Sequence, residues 1–230
     1  MSQISSTKRR SIGVGYINWA AYLAKNSFAW DSENTLRAAH EITESLQYFL
    51  LKASNDLAKE RGPCEYFNQT KYSKGILPID TYKKTIDSFA NFPYKRDWEA
   101  LRASILESGL RNSTLTCVMP SESSSVTSNA TNGIEPPKEA ITKKGKNKIM
   151  VPNARTWPYE YLWGFGTNLP YLKVCAIINK FIDQAISVNL NYNPMMYDDS
   201  LIPMSEIVKD VFTAYSYGLK TIYYMNTYDA

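Results

Sequence analysis

The side chains best suited to chemistry lie between Arg111 and Gly133. Leu115, Cys117, Val118 and Met119 form a short apolar run among the strand-tolerated Ser113, Thr114 and Thr116. Pro120 ends such a strand, having no N–H to give. Ser121, Glu122, Ser123, Ser124 and Ser125 follow, and then a polar run to Gly133. Ser121 suits an N-cap and Gly133 a C′ stop, so the spacing predicts a strand, a turn and a short helix. A helix start presents unpaired N–H groups and the positive end of a dipole. Serine hydroxyls beside it can cradle a phosphate or a carboxylate. The same hydroxyls can equally do no more than cap the helix, and the residues alone leave both readings open.

Other chemistries are narrowed by composition. The chain has three cysteines, Cys64, Cys117 and Cys175, and one histidine, His40. Their spacing excludes a C-x-x-C pair, and the odd count fits a reducing compartment. A His-dependent triad or His-rich metal site would need residues from another chain, and His40 is expected on a helix surface. Tyr223-Tyr224 is a weak signal among 17 tyrosines. In a regular strand its two rings fall on opposite faces. Lys138, Lys143, Lys144, Lys146 and Lys148 follow Pro136-Pro137. No aromatic residue interleaves them, so they read as a solvated hairpin around Gly145 rather than a nucleic-acid surface. A net charge of +4 spread along 230 residues adds little reason for a nucleic-acid or membrane partner.

These groups need a scaffold, and 44% apolar with 13% aromatic content describes a packed globule. Residues 1–8 read as a disordered leader. Lys8-Arg9-Arg10 ahead of the apolar stretch 12–24 imitates a secretory signal, but Asn18 interrupts it and Tyr16, Trp19 and Tyr22 are out of place there. No run approaches the ~20 apolar residues of a membrane helix. A core helix is expected after Gly15. Asp31-Ser32 caps a long helix with the stripe Leu36, Ala39, Ile42, Leu46, Phe49, Leu50, Ala53 and Leu57, stopped at Gly62-Pro63. Asp80 is expected to cap a helix carrying Tyr82, Ile86 and Phe89. Asp97 is expected to cap another with Trp98, Leu101 and Ile105, closed by Gly109. Asn168 and Pro170 open the most apolar helix, expected to run through Ile186 to Val188 and to be deeply buried. Pro203 opens the last helix, with Met204, Ile207, Val208, Val211, Phe212 and Tyr215 on one side and Gly218 at its end. Residues 219–225 read as a final strand. Helices alternating with short apolar strands make an α/β fold.

Trp98-Glu-Ala-Leu101, Gly109-Leu-Arg-Asn112, Thr116-Cys117 and Pro120, at this spacing, resemble the signature of the ribonucleotide reductase large subunit. Pro120–Ser125 followed by Ser128-Asn-Ala-Thr-Asn-Gly-Ile-Glu-Pro-Pro137 is similar to the same family. So are Arg9-Arg-Ser-Ile-Gly-Val-Gly15, Lys74-Gly-Ile-Leu-Pro-Ile-Asp-Thr-Tyr82, Lys180-Phe-Ile-Asp-Gln184 and Lys220-Thr-Ile-Tyr-Tyr224. From residue 9 to residue 230 the chain resembles the C-terminal third of the aerobic class I enzyme. The resemblance implies the C-terminal half of a ten-stranded α/β barrel with surrounding helices, incomplete by itself. The family's finger-loop cysteine, barrel cysteine pair and allosteric sites lie upstream of this segment. Cys64, Cys117 and Cys175 match none of them, and the family's redox-cysteine tail is missing beyond Tyr228-Asp229-Ala230. Met1 just ahead of the Arg-Arg motif points to the product of a split gene of the phage type. The alternative is an inert remnant that binds nucleotide phosphates or the small subunit.

The resemblance also implies roles. Pro120, Ser121, Glu122, Ser123 and Ser124 would hold the diphosphate of a ribonucleoside diphosphate. Ser123 stands where the family usually has threonine, and Glu122 would contribute its N–H. Tyr223 and Tyr224 would relay a radical. Reduction to deoxyribonucleotide would need the N-terminal portion of the large subunit and a small subunit bearing a di-metal centre and tyrosyl radical. Thioredoxin or glutaredoxin would be the external reductant. This chain itself would hold no cofactor or metal and bind neither nucleic acid nor membrane, and the setting would be cytoplasmic, of a cell or an infected host. Helix 204–218 would help form the groove for the small subunit's C-terminal peptide.

Overall fold

The computed structural model describes residues 2–144 and 147–228. Helices α1 (Ser2–Arg9), α2 (Trp19–Lys25), α3 (Glu33–Arg61), α4 (Pro78–Thr81), α5 (Trp98–Ser108) and α6 (Glu122–Thr127) come first. A hairpin of β1 (Ile141–Lys144) and β2 (Asn147–Met150) follows, then α7 (Leu169–Asn179), β3 (Val188–Tyr192), α8 (Met204–Ser216) and β4 (Ile222–Thr227). The stretch expected as a disordered leader is helix α1 instead. Its last turn is tied down, because Lys8 pairs with Glu65 at 3.0 Å and lies over the Tyr66 ring.

The organising element is a row of parallel extended segments. β3 and β4 pair in parallel. On the other side of β3, Val118 N donates to Ala185 O at 3.0 Å and Ser187 N to Val118 O at 2.9 Å. Beyond that segment, Ile12 N donates to Thr114 O and Cys117 N to Val14 O, both at 3.1 Å. The bridges Val14–Thr116 and Val118–Ile186 are parallel too. The order across the sheet is therefore 12–14, 114–118, 186–192, 222–227, each joined to the next by helices. This is part of an α/β barrel left open, since β4 and segment 12–14 pair on one side only among the described residues. Gly13 and Gly15 permit the first contact. A Cβ on Gly15 would lie 2.4 Å from Cys117 O, and one on Gly13 would lie 2.6 Å from Cys117 Sγ.

Helix α7 is buried on all sides: Tyr171, Leu172, Val174, Cys175, Ala176, Ile177 and Ile178 have almost no exposed surface. It stops at Asn179, not near Val188. The apolar residues Ile186, Val188 and Leu190 belong to a strand covered on both faces, which reads as a continuous hydrophobic run and mimics more helix.

Helix α3 begins as expected. The Ser32 hydroxyl accepts the Thr35 N–H at 3.3 Å, and Gly62 ends the helix at φ +77°. Its buried face follows the expected stripe only in part: Leu36 and Ala39 are buried, and Leu46 and Leu50 half-buried. Ile42, Phe49 and Leu57 are exposed, whereas Thr35, His40, Thr43, Glu44, Gln47 and Asn55 are buried. These polar side chains are buried because they are satisfied. Glu44 accepts from Lys95 N, Arg96 N and Trp98 Nε1, while Asn55 donates to Ser104 O and Gly109 O. His40, expected on the surface, is enclosed by Phe92, Tyr94 and Phe181.

Three smaller expectations also change. Asp80 caps from inside α4, where its carboxylate accepts the Leu77 N–H at 2.7 Å, and the helix ends before Tyr82. Gly133 is not the C′ residue of α6. The helix ends at Thr127, and Asn129 takes the left-handed conformation at φ 50°. The hairpin forms with Ile141 opposite Met150. Gly145 and Lys146, and the side chains of Lys143 and Lys144, lie outside the described residues.

Candidate functional site

Segment 114–118 delivers Pro120 and Ser121 to the carboxyl end of the sheet, where the short helix α6 begins. Ser121 sits at the N-cap position, but its hydroxyl does not cap the helix. The Ser121 hydroxyl donates to Asn132 Oδ1 at 3.1 Å and accepts the Gly133 N–H at 3.0 Å, and Ser121 N also donates to Asn132 Oδ1, at 2.9 Å. The serine therefore closes the loop 121–133 on itself. The capping reading does not hold for this residue. Ser125 is buried and its hydroxyl donates to Glu122 O. Ser124 Oγ donates to Ser121 O at 3.2 Å. Glu122, Ser123 and Ser124 face solvent on a frame that Ser121, Ser125 and Asn132 hold in place.

Tyr223 and Tyr224 lie on β4. Alternation in a regular strand would put their rings on opposite faces, but β4 is not regular here. Val188 stands opposite Ile222, and the next residue, Asn189, stands opposite Tyr224. Tyr223 is the extra residue of a bulge, the device by which a strand re-aims a side chain. The ring centroids come within 4.3 Å at an interplanar angle of 56°. Tyr223 and Tyr224 are 51% and 56% exposed. Hydrogen bonding to Tyr223 raises the Tyr224 phenol above its ordinary value.

The two clusters are joined by a polar chain that sequence reasoning did not foresee. Asn132 Nδ2 donates to Glu135 Oε2 at 3.1 Å, and Asn189 Nδ2 donates to Glu135 Oε1. Asn189 Oδ1 in turn accepts the Tyr224 N–H at 3.2 Å. Burial raises the Glu135 pKa, while the bond from Asn189 and the charge of Lys138 lower it. The signal available in the sequence was the motif Ser128–Pro137, which contains both Asn132 and Glu135.

The opposite end of the sheet is tied by residues that were equally unforeseen. The Asp183 carboxylate accepts from Leu115 N at 2.8 Å, Thr116 N at 2.9 Å and the Tyr72 hydroxyl at 2.8 Å. Lys220 Nζ donates to Ile182 O and Asp183 O, each at 3.2 Å, and to Gln184 O. Burial lowers the Lys220 pKa. Both residues belong to motifs quoted above, Lys180–Gln184 and Lys220–Tyr224.

Helix α8 turns Ile207, Val211 and Ala214 inward and leaves Met204, Val208, Phe212 and Tyr215 exposed, Phe212 at 68%. With Leu201 they make an exposed apolar face. No helix among the described residues is long and apolar enough to cross a membrane.

The family model described as "Ribonucleotide reductase, barrel domain" matches residues 1–163 and 149–225. The chain is 53% identical over 231 residues to ribonucleoside-diphosphate reductase subunit alpha of Haemophilus influenzae, covering 98% of this chain and 31% of that protein. It is 51% identical to ribonucleoside-diphosphate reductase 1 subunit alpha of Escherichia coli, covering 96% and 30%. The subunit alpha of Enterobacteria phage T4 is 44% identical, again covering 96% and 30%. The chain thus spans about a third of the length of the curated relatives it matches. Among solved structures it is similar to an Actinobacillus ureae class Id ribonucleotide reductase alpha subunit. The TM-score is 0.66 and the identity 21%, over 98% of this chain and 40% of that one, so the likeness is one of fold.

Proposed function

Because the chain belongs to the ribonucleotide reductase barrel-domain family, we propose that it supplies two parts of a ribonucleoside-diphosphate reductase. These are the loop that holds the substrate diphosphate and the tyrosine pair that relays a radical. The observation that carries the reading is the bulge at Tyr223, which brings two adjacent phenols of one strand ring to ring. A regular strand does not do this. An oxidised phenol has lost a proton with its electron, and a neighbouring phenol within hydrogen-bond reach can return both, becoming the oxidised phenol in its turn.

The loop would work through the exposed hydroxyls of Ser123 and Ser124 and the N–H groups at residues 122–124. Charge-assisted bonds to phosphate oxygens are the strong ones. Pro120 ends the strand, and Ser121 fixes the turn rather than pointing at the ligand. The Glu122 carboxylate carries the wrong sign for a diphosphate, so its N–H is the contact. Threonine-to-serine replacement at Ser123 keeps the hydroxyl.

The remaining components would come from outside the chain. The upstream portion of the large subunit would provide the thiyl-forming and reducing cysteines. A small subunit would provide the di-metal centre and tyrosyl radical, and thioredoxin or glutaredoxin the electrons, all in the cytoplasm. The exposed face of α8 would receive the small subunit's C-terminal peptide through a few apolar anchors.

Co-expression with an upstream portion and a small subunit, followed by assay of ribonucleoside-diphosphate reduction, tests the reading. Turnover is expected only when all three are present. Nucleoside-diphosphate binding without turnover in the full assembly would instead establish the inert alternative.

A further inference from the structure

The polar chain between the serine loop and the tyrosine strand has one charged member, Glu135, and both of its carboxylate oxygens act as acceptors. Asn132 Nδ2 donates to one and Asn189 Nδ2 to the other. Neither amide can be turned round. Asn132 Oδ1 is taken by Ser121 N and the Ser121 hydroxyl, and Asn189 Oδ1 by Tyr224 N. Backbone N–H groups only donate, so each asparagine must offer its NH2 to position 135. A side chain that accepts from both is a carboxylate. The neutral amide of glutamine would present one oxygen and one NH2, and the NH2 would face another NH2.

We propose that Glu135 is a positioning residue that holds the serine loop and the tyrosine pair in one frame. The functional weight of this rests on reading those clusters as diphosphate loop and relay. The tie joins parts of the chain far apart in sequence: Ser121, Asn132 and Glu135 precede the hairpin β1–β2, while Asn189 and Tyr224 follow it. It also crosses between neighbouring strands, since Ser121 follows segment 114–118, Asn189 lies on β3 and Tyr224 on β4. Asn189 is the residue at which the β3–β4 register shifts. The same hydrogen bond therefore braces the bulge that brings the two phenols together.

The test is amide hydrogen exchange on the full chain, read at segments 119–133 and 222–226. E135L removes both acceptors, and both segments should exchange about tenfold faster, the scale of one net hydrogen bond each. E135Q keeps one acceptor, so only one segment should loosen. E135Q with N189D reverses the donor and acceptor on one arm. The new amide at position 135 then donates to the new carboxylate at position 189, whose second oxygen still accepts the Tyr224 N–H. The amide keeps its own oxygen for Asn132. Both segments should return to within about twofold of the parent.

Unchanged exchange in E135L, or loosening of only one segment there, overturns the proposal. So does a double variant no better protected than E135Q. If E135L does not fold, E135Q and its partner variant decide alone. In the assembled reductase, turnover should rank parent, double variant, E135Q. Exchange that follows the proposal with turnover unmoved would leave the clamp standing and remove the functional reading of the two clusters.

Discussion

The two ends of the parallel sheet are built from the same kinds of residue and used in opposite ways. At the strand starts, Asp183 and Lys220 place their charged groups on backbone N–H and C=O groups of the neighbouring segments, and the Gln184 side chain donates to Ile12 O. Every arm ends on the protein itself. At the strand ends, Ser121, Asn132, Glu135 and Asn189 bond to one another and to backbone N–H groups, but what they hold is exposed: Glu122, Ser123 and Ser124 on one side and the two phenols on the other. One end fixes strand order, and the other presents exposed hydroxyls on a fixed frame. Open α/β sheets carry their ligands outside the carboxyl ends of the strands, the end at which this exposed set lies.

The largest expected effect removes function at the presenting end and leaves structure. Tyr223→Phe and Tyr224→Phe should each abolish turnover in the assembled reductase. Each phenol is exposed, so loss of its oxygen should change urea stability by less than about 1 kcal/mol. Two stations in series fail together, so the double variant should be no worse than either single. A single variant that retains near-normal turnover would reduce the pair to ordinary strand tyrosines.

The reverse dissociation is expected at the strand starts. Asp183→Ala leaves the N–H groups of Leu115 and Thr116 and the Tyr72 hydroxyl without their acceptor. At about 1–3 kcal/mol for each buried group left unmatched, the loss should reach roughly 3–5 kcal/mol. Denaturant titration checks it. A loss under about 1 kcal/mol would mean that the strand starts are not the structural end.

What the sequence made legible follows this division. Caps and stops are local chemistry, so Ser32, Asp97, Gly62, Gly109 and Gly218 fall where expected. The apolar stripe of α3 misleads because burial follows satisfaction as well as hydrophobicity: Glu44 and Asn55 enter the core by finding partners more than forty residues away in the chain. The length of α7 misleads because a doubly covered strand carries no alternation. Residues 120–124 and 223–224 were singled out by resemblance rather than by any local pattern. The Glu135 tie was not, because its arms span residues 121 to 224 and a bulge that no local pattern encodes.

A third effect bears on the exposed loop. Replacing Ser123 and Ser124 together by alanine should weaken nucleoside-diphosphate binding by roughly 1.5–3 kcal/mol for each phosphate bond lost, with the fold intact. Isothermal titration of the assembly would read it, and unchanged affinity would leave these hydroxyls without a ligand role. A smaller loss is expected on α8, where Phe212→Ser should weaken small-subunit affinity about tenfold if Phe212 is an anchor. Equal affinity in a folded complex would move the docking site elsewhere.

The smallest expected effect sharpens the structural side, because it titrates a buried group remote from the presenting end. His40 lies fully buried among Phe92, Tyr94 and Phe181. Burial first, and then the charge of Lys180, lower its pKa to about 4, with Lys95 acting in the same direction and Glu41 against it. The Glu44 carboxylate lies 3.9 Å from Nε2 but is already occupied by Lys95 N, Arg96 N and Trp98 Nε1. The unfolded chain takes up the proton near pH 6.5 and the folded chain only near pH 4, so between those values the unfolded state holds more protons. Stability is complete above pH 6.5 and falls as the pH drops through this window, by about 1 kcal/mol between pH 6 and pH 5. His40→Phe keeps an aromatic ring in the cage and removes the titration. Its urea stability should therefore lose that part of the slope while the parent keeps it. Parallel pH profiles for parent and variant would show that His40 exchanges its proton equally in both states and is not shut inside the core.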